Sequence, residues 1–245
     1  MNGPLLFNPR FTVIAESEDW IVVDKPAHLL CHPTNLDNPP TLLDGLRGLL
    51  AFDLANGATL SIITRLDRDT SGLVLIAKNA HTARHFGKTM ERGEFRKTYL
   101  ALVHGWPSED SWTVDAPILR KGEITASPIW VKQMVHPAGK PCRTRFKVAD
   151  RRTRQEGPFA LVHCYPETGR MHQIRVHLSY SGHPIVGDKI YGSDETCYLD
   201  FIETGWTAAL EARLLLDRHA LHAHCLEVDE QIWISPLPED LAGFL

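Results

Sequence analysis

The feature that most constrains the fold of this chain is a highly charged turn that leads directly into an unbroken apolar run, in "RLDRDTSGLVLIA" at residues 65–77. A short apolar run bounded by turn residues is typical of a strand that is buried on both faces. Asn79 follows as a predicted helix N-cap, and Gly93 is placed to end that helix. The sequence therefore predicts a charged turn at the entrance of a buried strand, with a helix after the strand.

Strands and helices alternate along the rest of the chain without a regular β-α-β period. Strands are predicted for "FTVIAESEDWIVVDKP", "KTYLALVHG" and "FALVHCYP", and a helix that ends at Gly182 is predicted for "RMHQIRVHLSYSG". This order favours the α+β class, with a mixed, largely antiparallel central sheet flanked by helices. Because the sequence shows no repeat and no convincing linker, residues 1–245 are predicted to form a single domain.

Helical spacing divides the predicted helix "HQIRVHLSYS" into two sides. His172 and Arg175 share one side, whereas Ile174 and His177 share the other. If the side with Ile174 packs on the core, Arg175 is directed away from it.

Charge is distributed unevenly along the chain. The formal net charge is −4, but residues 194–245 contain eleven acidic and two basic side chains, a net of −9, which leaves +5 for residues 1–193. Within the positive part, residues 84–97 have five basic side chains against two acidic ones, and residues 142–155 have six against one. These stretches are either solvated faces or binding surfaces for a polyanion.

Other features of the sequence argue against membrane, disulfide and metal-dependent classes. No apolar run approaches the roughly 18 residues of a membrane span, and the amino end "MNGPLLFNPRF" lacks the pattern of a signal peptide, so a cytoplasmic location is expected. The five cysteines are scattered without a C-x-x-C pair. His219, His222 and His224 do not have a common zinc-binding spacing, so no metal site is expected.

Taken alone, the individual motifs leave several interpretations open. The charged turn can be a surface turn with weak ion pairs, and Tyr99 can simply pack in a strand. Asp67 and Asp69 can be the paired carboxylates of a glycoside or nucleoside hydrolase. The basic stretches also fit a noncatalytic RNA-binding module.

The motifs in their order resemble those of the RluA family of RNA pseudouridine synthases. The resemblance rests on "VVDKPAHLLCHP", "TRLDRDTSGLVLIAKN", "RKTYLALVHG", "TGRMHQIRVHLSYSGHPIVGDKIYG" and "RHALHAHCLEV". It extends from about residue 13 to 228. The sequence departs from the family pattern at Thr64, where histidine is common, and at His28, where glycine is common.

The resemblance implies isomerisation of uridine in RNA, in which the bond from ribose to the base nitrogen breaks and the uracil is rejoined through carbon. It implies that Asp67 is the catalytic carboxylate and that Arg175 is its charged partner. Tyr99 corresponds to the active-site tyrosine that stacks on the uracil. Arg65 corresponds to the arginine that fills the space of the extruded nucleotide, whereas Arg68 and Asp69 are expected to form a local ion pair.

The resemblance also implies that the reaction needs no cofactor and no metal. The expected partner is structured RNA, either ribosomal or transfer RNA, rather than DNA or a membrane, and the protein is expected to be a monomer. The chain begins at the catalytic domain, so a separate N-terminal accessory RNA-binding domain is not expected.

Overall fold

The structure, a computed structural model, describes residues 11–34, 39–192 and 194–245. The chain forms two compact units. The first contains the chain up to Arg96 together with Ala223–Pro236, and the second contains Lys97–His222 and Leu237–Leu245. Both units combine helices with antiparallel strands, so the predicted α+β class is confirmed. The expectation of a single domain stays a prediction.

Twelve strands and seven α-helices are formed by the described residues. The strands are β1 (Thr12–Glu16), β2 (Trp20–Lys25), β3 (Ser61–Ile62), β4 (Ser71–Ala77), β5 (Arg96–His104), β6 (Ser111–Asp115), β7 (Ile118–Arg120), β8 (Gln133–Val135), β9 (Arg143–Arg154), β10 (Gly157–Pro166), β11 (Leu221–Val228) and β12 (Gln231–Ile234). The helices are α1 (Leu42–Leu49), α2 (Ala51–Ala55), α3 (Ala80–Glu91), α4 (Gln173–Tyr180), α5 (Thr196–Thr204), α6 (Ala208–Leu214) and α7 (Glu239–Ala242).

The first unit is organised around β4, the apolar run that follows the charged turn. β4 pairs with β2 and β3 in antiparallel register, and β2 pairs with β1. Val74 and Ile76 pack in a cluster with Leu42 and Leu46 of α1, whereas Leu73 and Leu75 pack in a cluster with Phe86 of α3. Alternate residues of a strand point to opposite faces. The strand is therefore buried on both faces, as predicted.

Helix α3 begins and ends where its sequence predicts. The side-chain oxygen of Asn79 accepts a hydrogen bond from the backbone N–H of Thr82 at 2.8 Å, which is the N-cap interaction. Gly93, just beyond the helix, has a φ of +73°, the left-handed conformation that commonly ends a helix at glycine.

The second unit contains the antiparallel strand order β5-β10-β9-β6. Residues directly opposite one another in such a ladder point to the same face of the sheet. One face carries a row that we call the inner row: Tyr99, Cys164, Phe146 and Trp112. The next row points to the opposite face, which we call the outer face: Leu100, His163, Lys147 and Ser111.

Each face of this sheet is covered differently. Gln173 and His177 of α4 contact the hydroxyl of Thr144, which lies two residues before Phe146 on β9 and therefore on the same face, so α4 packs on the face of the inner row. One end of the outer face is covered by the C-terminal segment, where the rings of Phe159 and Phe244 lie 5.1 Å apart. Within the described part of the chain, no helix is long and apolar enough to span a bilayer.

Candidate active site

The turn that carries Asp67 lies between β3 and β4 in the first unit. Asp67 is half-buried and Arg65 is exposed. The backbone N–H of Thr70 donates to the carbonyl oxygen of Asp67 at 3.2 Å, which closes the turn. Arg68 donates from Nε and Nη2 to the two carboxylate oxygens of Asp69, at 2.7 and 3.2 Å. The local ion pair predicted for these two residues is therefore present.

The buried side chain of Lys25 anchors this turn through backbone carbonyl groups. The Nζ atom of Lys25 donates to the carbonyl oxygen of Arg68 at 3.1 Å, and to those of Pro26 and Leu29 at 2.8 Å each. Lys25 is completely buried. An ammonium group is tolerated there because carbonyl oxygens replace its hydration. The lysine thus connects the loop after β2 to the residue that follows Asp67.

Three residues, the two departures from the family pattern (His28 and Thr64) and Gly72, have backbone or side-chain roles at this turn and the neighbouring loop. His28 has a φ of +63°, the left-handed conformation that glycine adopts without strain, so histidine occupies a glycine-like position. The hydroxyl of Thr64 accepts a hydrogen bond from the backbone N–H of Leu75 at 2.9 Å, which anchors the turn to β4. Gly72 has a φ of +111°, and a Cβ atom there would lie 2.3 Å from the carbonyl oxygen of Ala223. Only glycine fits at this point.

Arg175 lies on α4 in the second unit and is held by an aspartate that the sequence analysis did not single out. Its Nε and Nη2 atoms donate to the two carboxylate oxygens of Asp188, at 2.7 and 2.9 Å. Both side chains are buried. Burial alone raises the pKa of the Asp188 carboxyl, but the charge and hydrogen bonds of Arg175 lower it well below its ordinary value. Asp188 is therefore ionised and forms a bidentate pair with Arg175.

Both sides of α4, the side with Ile174 and the side with Arg175, are buried in the structure. Residues 173–178 are all buried, including Arg175 on the side that was expected to point away from the core. The reason is that polar residues on this helix are satisfied inside the protein, so polarity does not mark the solvent side. A period of 3.6 residues identifies the helix but not its exposure.

A chain of hydrogen bonds fixes α4 against β9. Gln173 Nε2 donates to the hydroxyl of Thr144 at 3.0 Å, and this hydroxyl lies 2.9 Å from Nδ1 of His177. His177 Nε2 lies 2.9 Å from the carbonyl oxygen of Ala116, which can only accept. The proton of His177 is therefore on Nε2, and Thr144 donates to Nδ1. Burial lowers the pKa of His177, which keeps this histidine neutral.

Tyr191 connects the start of α4 to Arg175. Its hydroxyl accepts from the backbone N–H of Gln133 at 2.8 Å and lies 2.8 Å from Nδ1 of His172. The guanidinium of Arg175 lies 5.0 Å from the centre of the Tyr191 ring, within range of a cation–π interaction. His172 has a φ of +57°, an uncommon conformation for histidine. Tyr191 thus contacts both His172, just before α4, and Arg175 within the helix.

Tyr99 lies on β5 in the inner row, on the face where α4 packs. It is half-buried against the core cluster that contains Ile174. Arg65 and Asp67 thus lie on one turn of the first unit, whereas Tyr99 and Arg175 lie in the second unit. The predicted pairing of Asp67 with Arg175 stays a prediction.

The sequence analysis missed the residues that hold the predicted ones. Asp188 and Lys25 are the clearest cases, because each is a charged residue inside an apolar stretch, "PIVGD" and "IVVDKP". A charge in such a segment is buried only when it is paired or fully hydrogen-bonded. That pattern was the available signal, although it does not identify the partner.

Within residues 11–34, 39–192 and 194–245, no group of three or more histidine, cysteine, aspartate or glutamate side chains is placed to hold a metal ion. The expectation that the protein works without a metal or cofactor stays a prediction.

Comparison with known proteins gives a consistent result. Residues 19–180 match a family model described as RNA pseudouridylate synthase. The chain is 37% identical over 240 residues to a ribosomal large subunit pseudouridine synthase D of Nitrosomonas europaea, covering 95% of this chain and 64% of that protein. It is 34% identical to a protein of the same name from Pseudomonas aeruginosa, covering 95% and 70%. The chain therefore spans somewhat less than two thirds of the first relative's length.

Solved structures show the same relationship. The human protein RNA pseudouridylate synthase domain containing 1 is similar with a TM-score of 0.69 at 26% identity, covering 98% of this chain and 86% of that one. Human RNA pseudouridylate synthase domain containing 4 has a TM-score of 0.71 at 22% identity, covering 94% and 90%. The second similarity shows a shared fold.

Proposed function

This chain belongs to the RNA pseudouridylate synthase family, with RluA-type relatives, and we propose that it isomerises uridine to pseudouridine in large-subunit ribosomal RNA with Asp67 as the catalytic carboxylate. The observation that carries the proposal is the family match over residues 19–180, which contains the whole turn from Arg65 to Gly72. In this turn Asp69 is held by Arg68, whereas Asp67 occupies the position that the family resemblance assigns to the reacting carboxylate.

The proposed reaction begins at the bond between C1′ of the ribose and N1 of the uracil. This bond breaks, the uracil turns, and a bond forms between C1′ and C5, while the C5 proton leaves and N1 gains a proton. Product and substrate are isomers, so no oxidant, reductant or group donor is consumed. Asp67 acts either on the anomeric carbon or on a ribose proton, and both routes need its ionised form.

Arg175 is proposed as the cation that keeps Asp67 ionised. Its guanidinium has five N–H groups, so an arginine held by one carboxylate, here Asp188, can also bind a second one. The resemblance makes Asp67 that second carboxylate. The fixed orientation that Asp188 and Tyr191 give to Arg175 supports the proposal, because a preorganised charge stabilises a reacting group without reorganisation.

Arg65 is proposed to contact the RNA beside the reacting uridine. A uridine in a stacked helix is inaccessible, and extrusion of a base costs a few kcal/mol. A side chain that enters the vacated space offsets part of this cost. The exposure of Arg65 and its position two residues before Asp67 agree with such a role.

The names of two relatives, from Nitrosomonas europaea and Pseudomonas aeruginosa, support ribosomal RNA as the target. The test is incubation of the purified protein with transcripts of large-subunit ribosomal RNA and with a mixture of transfer RNA transcripts. Digestion to nucleosides and chromatography then measure pseudouridine. We expect product in the ribosomal transcript. Product in transfer RNA alone would contradict the proposed target, and product in neither would contradict the proposed activity.

Tyr99 provides a second prediction. If its ring stacks on the uracil, Tyr99→Leu should lower turnover by at least about 100-fold, since stacking contributes about 1–3 kcal/mol per base and also orients it. Tyr99→Phe keeps the ring and should bind RNA as the wild type does. The measurement is single-turnover pseudouridine formation, with RNA affinity and thermal melting as controls. Wild-type turnover in folded Tyr99→Leu would mean that this tyrosine only packs in the core.

A further inference from the structure

The two ends of the basic strand β9 have different charge environments. At its end near residue 154, each arginine has a carboxylate partner. Arg151 pairs with Asp110 at 2.8 Å, Arg152 pairs with Asp150 at 2.8 Å, and Arg154 lies 3.4 Å from Glu156. Three cations therefore face three anions, and this end of the strand has no net charge to attract a polyanion.

Arg145 and Lys147 lie at the other end of β9 and point to the outer face. They are in register with Tyr165 and His163 of β10 and with Thr113 and Ser111 of β6. Arg145 and Lys147 are both exposed. Glu167 lies 3.5 Å from Arg145, but it also lies 3.8 Å from Arg143, so one carboxylate is shared by two arginines. One carboxylate for two arginines leaves this end of the strand with excess positive charge, whereas cations and carboxylates balance at the other end.

Aromatic rings lie beside these two cations. The guanidinium of Arg145 is 5.7 Å from the centre of the Tyr165 ring. The rings of Tyr165 and His163 are nearly parallel, with an interplanar angle of 10°. Cations that alternate with aromatic ring faces are the chemistry that binds single-stranded nucleic acid, because phosphates pair with the cations and bases stack on the rings.

We propose that this part of the outer face, formed by Arg145, Lys147, Tyr165 and His163, is a binding surface for a single-stranded segment of the substrate RNA. The inference rests on the proposed function, since it assumes that the substrate is RNA. It adds a second contact region, because Tyr99 belongs to the inner row and therefore points to the opposite face of the same sheet. Phosphates bind Arg145 and Lys147, and one base stacks on Tyr165.

The test is a salt titration of RNA affinity with matched double variants on the same strand. Arg145→Gln with Lys147→Gln should reduce the slope of log affinity against log salt by about 1.4, which is 0.7 for each lost phosphate contact with a single strand. The control is Arg152→Gln with Arg154→Gln, which removes the same charge from the paired end. We expect its slope to equal that of the wild type.

Tyr165 is tested with its own matched pair. Tyr165→Leu should weaken RNA binding about tenfold, whereas Tyr165→Phe keeps the ring face and should bind as the wild type does. Thermal melting checks that each variant is folded.

The outcomes separate this inference from the proposed function. If the wild type forms pseudouridine but the Arg145 and Lys147 variant keeps the wild-type slope, the outer face does not bind RNA and the inference is wrong. A surface that serves an acidic protein instead would give this same result. If the wild type neither binds RNA nor forms pseudouridine, the proposed function itself has failed.

Discussion

Asp188→Asn should lower the melting temperature of this protein by about 6–20 °C. In the wild type, the backbone N–H groups of Ile190 and Tyr191 donate to Oδ1 of Asp188 at 3.0 Å. The side-chain oxygen of asparagine can still accept these two hydrogen bonds. What is lost is the negative charge opposite the buried Arg175. Removal of one partner from a buried ion pair costs about 3–5 kcal/mol, and in a chain of this size each kcal/mol corresponds to about 2–4 °C.

The matched control is Asp200→Asn, which makes the same chemical change at an exposed ion pair. Asp200 Oδ2 accepts from Arg213 at 2.9 Å, and both side chains are more than a third exposed. Exposed pairs contribute little to stability, so we expect a change of less than about 2 °C. The double variant Asp188→Asn with Arg175→Met removes the buried cation together with its Asp188 partner and should recover part of the loss. A melting temperature for Asp188→Asn equal to that of the wild type would contradict the buried pair.

Substitutions of Arg175 should also change the activity of the protein. Arg175→Met removes the proposed cation, so the pKa of Asp67 should rise and pseudouridine formation near neutral pH should fall sharply. Arg175→Lys keeps the charge but loses the planar fork that binds two carboxylate oxygens at once, so it should recover activity only in part. Both rates are measured below the melting temperature of each variant.

Much of the fold is predictable from the sequence because local signals and burial agree. The apolar run of β4, the cap at Asn79 and the stop at Gly93 each have a local physical cause, and the structure confirms all three. The helix α4 was also predictable. Its complete burial was not, because its polar residues find their partners on β9, at Ala116 just after β6, and at Asp188 after the helix.

Some residues of the candidate site are likewise predictable from the sequence, and others are not. Asp67, Arg65, Tyr99 and Arg175 come from motifs with a characteristic order, so the sequence predicts them as site residues. Lys25 and Asp188 act through backbone carbonyls and a guanidinium that only the folded chain brings near them. Gly72 is intermediate, since its place in "TSG" is visible, but the close approach of Ala223 that requires glycine is not.

A hydrolase that uses Asp67 and Asp69 as paired carboxylates predicts a different effect of substitutions than a pseudouridine synthase does. The carboxylate of Asp69 accepts hydrogen bonds from Nε and Nη2 of Arg68, and its Oδ1 atom lies 3.4 Å from Nδ1 of His28. Both carboxylate oxygens of Asp69 accept hydrogen bonds from Arg68, so Asp69 is placed as an ion-pair partner and not as a second reacting carboxylate. Asp69→Asn should therefore leave pseudouridine formation largely intact in folded protein, whereas a hydrolase pair would lose activity with either aspartate.

Asp67 is the proposed reacting carboxylate, and Asp67→Asn tests this role most directly. The amide keeps the shape of the side chain and removes its charge and its nucleophilic oxygen, so RNA binding should stay near the wild-type level. Loss of a nucleophile commonly lowers turnover by more than about 10³-fold. The measurement is pseudouridine formed in a ribosomal RNA transcript under single-turnover conditions, with Asp69→Asn as the matched control and thermal melting as the folding control. We expect no product above background from Asp67→Asn and clear product from Asp69→Asn. Isomerisation of uridine by folded Asp67→Asn at a rate near that of the wild type would contradict the proposed mechanism.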